Sequence, residues 1–325
     1  MSIDARPSDP AARAASLSAG RLHAIIFAVL LVLLLVAPAV LYPVFLMKVL
    51  CFALFAAALN LLLGFGGLLS FGHAAFFGSA SYVSAHAAKV WGLTPEIAIL
   101  LGTGTAALLG LAIGALAIRR QGIYFAMITL AFAQMVFFFA LQAPFTGGED
   151  GIQAVPRGYL FGLLDLTSDR TLYYVVLAVT FGGILLIYRI VNSPFGQVLK
   201  AIRDNEPRSI SLGYRVERYK LAVFVMSAAL AGLAGGTKAI VFQLASLTDV
   251  YWTMSGEVVL MTLLGGMGTI FGPLVGAAVI VTMQNYFAGF GAWVTILQGL
   301  IFVAAVLLFR EGIVGMIARW TRRSL

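Results

Sequence analysis

The sequence predicts an all-α, polytopic transmembrane helical bundle of ten spans with glycine-broken helices. Three observations predict it. The chain of 325 residues is 61% hydrophobic and only 10% charged, with a mean hydropathy of +1.00; a soluble domain is about half apolar and about a quarter charged. Nothing charged lies between Lys48 and Lys89, between Arg120 and Glu149, or between Glu257 and Arg310, and each stretch exceeds the ~20 residues that cross a bilayer. Two glycine-rich breaks, Gly64 to Gly72 and Gly265 to Pro273, interrupt apolar runs, and Leu63/Leu263, Gly66/Gly266, Phe71/Phe271 and Gly72/Gly272 coincide at one constant offset.

Residues 1–22 are polar, with Pro7, Pro10, Arg6, Arg13 and Arg21, and read as a disordered cytoplasmic tail. The apolar run from Ala24 to Leu41 is longer than a signal-peptide core and reads as a retained first span. The candidate spans are 24–43, 45–64, 74–90, 96–118, 121–142, 171–191, 220–243, 255–267, 272–288 and 293–309. The crossing at 255–267 is short, so 255–288 holds either two spans or a re-entrant pair. The membrane domain is 23–310, and 311–325 reads as a basic cytoplasmic tail.

Orientation follows from charge. With both termini, Arg119, Arg120, Arg189 and the segment 192–220 in the cytoplasm, only Lys48, Lys89, Arg157, Arg170 and Lys238 of the 21 Lys and Arg fall outside or at interfaces, as the positive-inside rule requires. The loop 143–170 carries Glu149, Asp150, Asp165 and Asp169 and suits the outside. The net charge of +8 therefore reports topology and not nucleic-acid binding.

Residues 192–220, NSPFGQVLKAIRDNEPRSISLGYRVERYK, form a basic island between apolar spans. A short helix over Phe195–Asn205, then Pro207, then a stretch ending at Gly213, reads as a docking surface for a soluble partner, with an Ala201–Ile202 face between charged flanks.

No catalytic constellation is present. His23, His73 and His86 are scattered, and no acidic residue stands near them at metal-ligand spacing. The one cysteine, Cys51, lies inside an apolar run, which excludes an internal disulfide and a cysteine-based metal site. No G-x-x-x-x-G-K-[ST] occurs, so a nucleotide would be bound by another subunit. Within the spans, Lys238 and Glu257 stand out as ionisable groups, each near a predicted outer end, and Lys238 reads as snorkelling to the interface. Scarce buried titratable groups argue against a stand-alone secondary carrier, and the lack of a His/Asp/Glu cluster argues against a membrane enzyme. Corresponding helix breaks in two halves of a transporter point to a translocation pathway; glycines also serve close helix packing. The pathway candidates are Asn60, Gly66, Gly67, Ser70, Phe71, Gly72, His73, Gly265, Gly266, Gly268, Phe271 and Gly272. Thr129, Gln134, Gln142, Gln284 and Asn285 are candidates to line a pathway or to hydrogen-bond between helices.

Five segments carry a family resemblance: Leu59–Gly78 (LNLLLGFGGLLSFGHAAFFG), Gly122–Gln134 (GIYFAMITLAFAQ), Thr146–Ile152 (TGGEDGI), Gly196–Gly235, and Glu257–Gly276 (EVVLMTLLGGMGTIFGPLVG). With them the chain resembles the M-type permease subunit of bacterial branched-chain amino acid ABC importers. Ala80-Ser81 and Pro207-Arg208-Ser209 depart from the usual pattern. The resemblance implies a type II importer-like permease of the inner membrane that catalyses no bond change. It implies pairing with a second, related permease, two cytoplasmic ATPases that bind ATP and Mg, and a periplasmic binding protein that meets the loop 143–170. It assigns the ATPase-coupling role to Gly196, Lys200, Ala201, Ile202, Arg203, Asn205, Glu206 and Gly213. Replacing Arg203 and Glu206 by Ala is then expected to uncouple ATP hydrolysis from transport. Relatives of this kind also import urea, short amides, other amino acids or aromatic acids, so the cargo stays open within that range.

Overall fold

The computed structural model describes residues 24–162, 164–287, 289, 293, 296, 299, 300, 303 and 312–321. The predicted tail at 1–22 and most of the predicted span 293–309 lie outside the described residues. Helices dominate, in chain order α1 (Ala24–Ala39), α2 (Pro43–Asn60, prolonged by a π-helical turn over Leu61–Phe65), α3 (His73–Lys89), α4 (Pro95–Ala117) and α5 (Ile123–Gln142). They continue as α6 (Asp169–Asn192), α7 (Pro194–Asp204), α8 (Glu206–Ser211) and α9 (Val216–Phe242), then α10 (Trp252–Gly265), α11 (Gly272–Tyr286) and α12 (Gly312–Thr321). Pro43, Pro95, Pro194 and Pro273 sit in first turns, where a missing N–H costs no helical bond. Five helices, Pro43–Phe65, Pro95–Ala117, Ile123–Gln142, Asp169–Asn192 and Val216–Phe242, are long and apolar enough to cross a membrane. The helices α1, α10 and α11 are apolar but shorter.

Two helices form the centre. The most apolar window of α2 is 83% buried and that of α9 is 78% buried, against 28% for α5. A helix that is apolar on every side is stable only when surrounded, and α2 is surrounded by α6, α9, α10 and α11. In turn α9 packs on α3 and α4. Small residues permit that approach: a Cβ added at Gly235 of α9 would overlap the backbone carbonyl of Phe77 on α3. The exposed faces of α4, α5 and α6 carry Leu100, Leu108, Met135, Phe138, Phe139 and Leu186, a surface suited to hydrocarbon.

One end of the bundle gathers the loop between α5 and α6 and the loop between α9 and α10. Strand β1 (Ile152–Gln153) pairs antiparallel with β4 (Leu244–Ala245), matching Ile152 to Ala245, and a small ribbon joins β2 (Tyr159–Leu160) to β3 (Leu164–Asp165). Arg157 ties this loop down through Asp169 at 2.7 Å and the Val241 carbonyl at 3.0 Å. Lys238 corrects an expectation. Its ammonium is not turned out to the surface; it is buried against the buried carboxylate of Asp249 at 2.6 Å, and the backbone N–H of Ser246 donates to the same oxygen at 3.2 Å. The acid comes from a loop, a partner that no helical spacing announces. At the chain's end, the segment expected as a tail contains α12, whose Gly312 (φ 72°) lies against Gly266 and the Leu263 carbonyl, with Val314 buried.

At the opposite end the two glycine-rich breaks meet. Asn60, the last residue of α2 before its π turn, is buried and bridges to the other break: its Nδ2 donates to the Thr269 carbonyl at 2.7 Å, and its Oδ1 accepts from the Gly268 N–H at 2.9 Å. Gly268 has φ 78° and lies against Gly64, so the contact needs glycine on both sides. The Thr269 hydroxyl donates to the Gly266 carbonyl (2.8 Å) and accepts from the Gly272 N–H (3.0 Å), which caps α11. Asn60→Leu keeps the branched shape but leaves the half-buried Gly268 N–H and Thr269 carbonyl without their partner. It is expected to lower stability by about 2–4 kcal/mol, seen as a depressed melting temperature of the purified assembly. Asn285→Leu, on the exposed side of α11, is expected to change it by less than about 0.5 kcal/mol.

Candidate coupling site at the helical hairpin

The basic island folds as a hairpin of two short helices. Ser193 accepts from the Gly196 N–H at 3.3 Å and starts α7. Asn205 ends it and starts α8, its Oδ1 accepting from the Arg208 N–H at 3.0 Å. Capping side chains of this kind satisfy N–H groups that a helix start leaves free. Gly213 (φ 88°) then turns the chain into α9.

The inner face of α7 is Gly196, Leu199 and Ile202, all buried, against α6, α9 and the π turn of α2. This corrects the expected docking face: Ala201 is exposed, but Ile202 points into the protein because it shares a helical stripe with Leu199. Gly196 is needed where α7 crosses the last carbonyls of α6, Ile190 and Val191. The Lys200 ammonium lies 5.6 Å from the Phe65 ring centroid, and burial, aided by the neighbouring Arg203 charge, holds it below the usual lysine range.

Arg203 joins the hairpin to the glycine junction. Its Nη1 donates to the Gly64 carbonyl at 2.6 Å, while Nε and Nη2 donate to Asp204 Oδ1 at 3.0 and 2.9 Å. Its stem lies on Gly67, whose φ is 69°. A guanidinium at the end of α2 also meets the negative end of that helix. Glu206 pairs with the buried Lys220 of α9 at 2.7 Å, which fixes α8 to the base of a central helix. Neither side chain is free in the way a solvent-facing contact would be.

The exposed surface lies elsewhere, on residues the sequence reading passed over. Ile210, Leu212 and Tyr214 are 57%, 69% and 41% exposed, with Arg208, Arg215 and Arg218 exposed around them. Three large apolar side chains inside a polar island were the available signal; their exposure required the fold.

The pathway candidates separate into two groups. Asn60, Gly265, Gly266, Gly268 and Gly272 meet in the junction. Gly66 is buried there, Gly67 forms its exposed rim beneath Arg203, and Phe271 packs on Phe27 of α1 with centroids 4.9 Å apart. Ser70, Phe71, Gly72 and His73 instead face α5 and α9. The Phe71 N–H donates to the Thr129 hydroxyl at 3.3 Å. His73 is fully buried, with Nδ1 at 3.2 Å from Ser70 Oγ and Nε2 at 2.8 Å from Ser227 Oγ. Ser227 donates to the Ala58 carbonyl at 2.5 Å, so it accepts from Nε2, and Nδ1 accepts from Ser70. That chain locks α3 to α9 and α2. Among the described residues no group of three His, Cys, Asp or Glu side chains is placed to hold a metal ion.

The family described as "Branched-chain amino acid transport system / permease component" matches residues 41–306. Over 281 residues the chain is 28% identical to the high-affinity branched-chain amino acid transport system permease protein LivM of Salmonella typhimurium, covering 79% of this chain and 66% of the relative. LivM of Escherichia coli is 29% identical with the same coverage. The chain thus spans just under two thirds of the length of these relatives. The ribose import permease protein RbsC of Bacillus subtilis is 27% identical over 68% of this chain and 70% of its own length. No solved structure matches. The family match takes in both glycine breaks, the α7–α8 hairpin and the α10–α11 pair, and the chain belongs to the family of branched-chain amino acid transport system permease components.

Proposed function

We propose that the chain is a transmembrane subunit of an ATP-driven importer that moves leucine, isoleucine and valine into the cytoplasm. In this reading it spans the inner membrane ten times through glycine-broken helices, with both termini inside, and pairs with a second, related permease. Two cytoplasmic ATPases carry the ATP and Mg, and a periplasmic protein delivers cargo to the loop 143–170. The cargo follows the LivM relatives; the ribose permease relative marks how far cargo diverges on this architecture.

The observation that carries the reading is the α7–α8 hairpin. It offers an apolar tip of Ile210, Leu212 and Tyr214 ringed by arginines, a form suited to a groove on a soluble partner. It is also held rigidly to the bundle by Arg203 on Gly64 and Glu206 on Lys220. A partner that moves the tip moves α7 as a body, and through Arg203 the end of α2 and the glycine junction. The pathway candidates are packed in that junction, so its opening is the step through which hairpin movement would change access.

Uptake of labelled leucine in cells with and without the gene, competed by unlabelled isoleucine and valine, tests the cargo. Loss on deletion together with that competition is expected; unchanged uptake with no redundant importer moves the cargo elsewhere in the family's range. Two variants separate docking from transmission. Ile210→Ser with Leu212→Ser is expected to lower ATPase co-purification at least about tenfold. Arg203→Ala is expected to leave the ATPase bound and hydrolysing while uptake per ATP falls about tenfold or more. Arg203 alone is the cleaner probe, since replacing Glu206 would strand the buried Lys220.

A further inference from the structure

The membrane-spanning part of this chain treats its few charges in two ways. Lys238 is neutralised by Asp249 at 2.6 Å, and that carboxylate has further donors in Ser246. Lys48 and Glu257 are not treated so. Both are partly buried. Among the described residues Glu257 accepts one hydrogen bond, from Gln284 Nε2 at 3.0 Å, and Lys48 has no hydrogen bond or ion pair. The two are near enough for each to act electrostatically on the other, and Lys238 acts on Lys48 as well, yet Lys48 and Glu257 form no ion pair.

Three helices bring these groups to one level. Lys48 stands five residues into α2 and Glu257 five residues into α10, each about 7.5 Å along its axis. Gln284 is two residues from the end of α11, which runs the other way. The helices α2, α10 and α11 pack on one another, and the rings of Phe45 and Tyr286, at 6.5 Å, join the start of α2 to the end of α11. The level lies at the end of the bundle opposite the α7–α8 hairpin. Separate, incompletely satisfied charges are expensive inside a membrane protein and mark function there.

We propose that Lys48, Glu257 and Gln284 form a polar site between α2, α10 and α11 that receives a zwitterionic amino acid, its carboxylate on Lys48 and its ammonium on Glu257. Gln284 holds the Glu257 carboxylate in place, and the Phe45–Tyr286 ring pair supplies an apolar flank for the cargo's side chain. The inference rests on the amino-acid reading above and adds a contact for the cargo after it leaves its binding protein. A ligand with one charge would leave the other group without a partner, so the site selects zwitterions over amines and acids.

Equilibrium binding of labelled leucine to the complete transporter in lipid nanodiscs, without binding protein, tests it. The expected result is saturable binding competed by leucine and valine but not by isoamylamine, which lacks the carboxylate, or isocaproate, which lacks the ammonium. Lys48→Met and Glu257→Gln should each weaken binding at least about tenfold in transporters that still assemble, and Lys48→Arg should retain it. Should Lys48→Met fail to assemble, the competitor pattern on the unaltered chain decides. Absence of binding, equal competition by the singly charged analogues, or affinity unchanged in both variants overturns the site. Leucine uptake in cells together with any of these results leaves the proposed function standing and removes the site alone.

Discussion

The Asn60 carboxamide is the constraint on which the arrangement depends. Two apolar helices end in glycine-rich loops whose backbone groups leave regular helical bonding inside a bundle that offers little water. Such groups must be satisfied by protein. Asn60 supplies a donor to Thr269 and an acceptor to Gly268 from one side chain, and Thr269 completes the set on Gly266 and Gly272. The glycines are there because the backbones touch, and the asparagine is there because touching backbones need partners. Packing glycines and a pathway are not opposed readings: a junction in which glycine backbones meet through few hydrogen bonds can part without unpacking the core.

The hairpin inherits its position from that junction. Arg203 bonds to Gly64, four residues beyond Asn60, so one guanidinium joins the exposed helices to the end of the most buried helix. The Lys220–Glu206 pair secures the second point. Two anchors on α2 and α9 leave the tip at Ile210 and Leu212 exposed while removing freedom from the rest. The opposite end is secured differently, by a strand pair, by Arg157 and by the buried Lys238–Asp249 pair.

Much of this was legible in the sequence, for a physical reason. Span placement follows from runs without charge, and the helices α2 to α6 and α9 fall where those runs lie. The hairpin follows from a helical stretch over Phe195–Asn205, a break at Pro207 and an end at Gly213 within a polar island, and the correspondence of the two breaks follows from repeated glycines. What was not legible depends on partners far apart in the chain. Lys238 looked like a residue bound for an interface because Asp249 lies in a loop. Ile202 looked like a docking residue because its burial depends on the π turn of α2 and on α9. Arg203 looked like a surface contact because its acceptor is a backbone carbonyl, which every residue possesses and no sequence pattern marks.

The central claim is that the hairpin and the end of α2 move as one piece when the junction parts. It is tested most directly by measuring the distance between spin labels at Ser211→Cys in α8 and Leu69→Cys, exposed in the first break, in a chain whose one native cysteine is replaced by Cys51→Ala. The assembled transporter would be measured with and without ATP. The account predicts a narrow distance distribution that keeps its centre through the cycle and broadens when Arg203 is replaced by Ala. A distribution that is broad or shifts with ATP while Arg203 is intact, or one that is indifferent to its loss, would contradict the account.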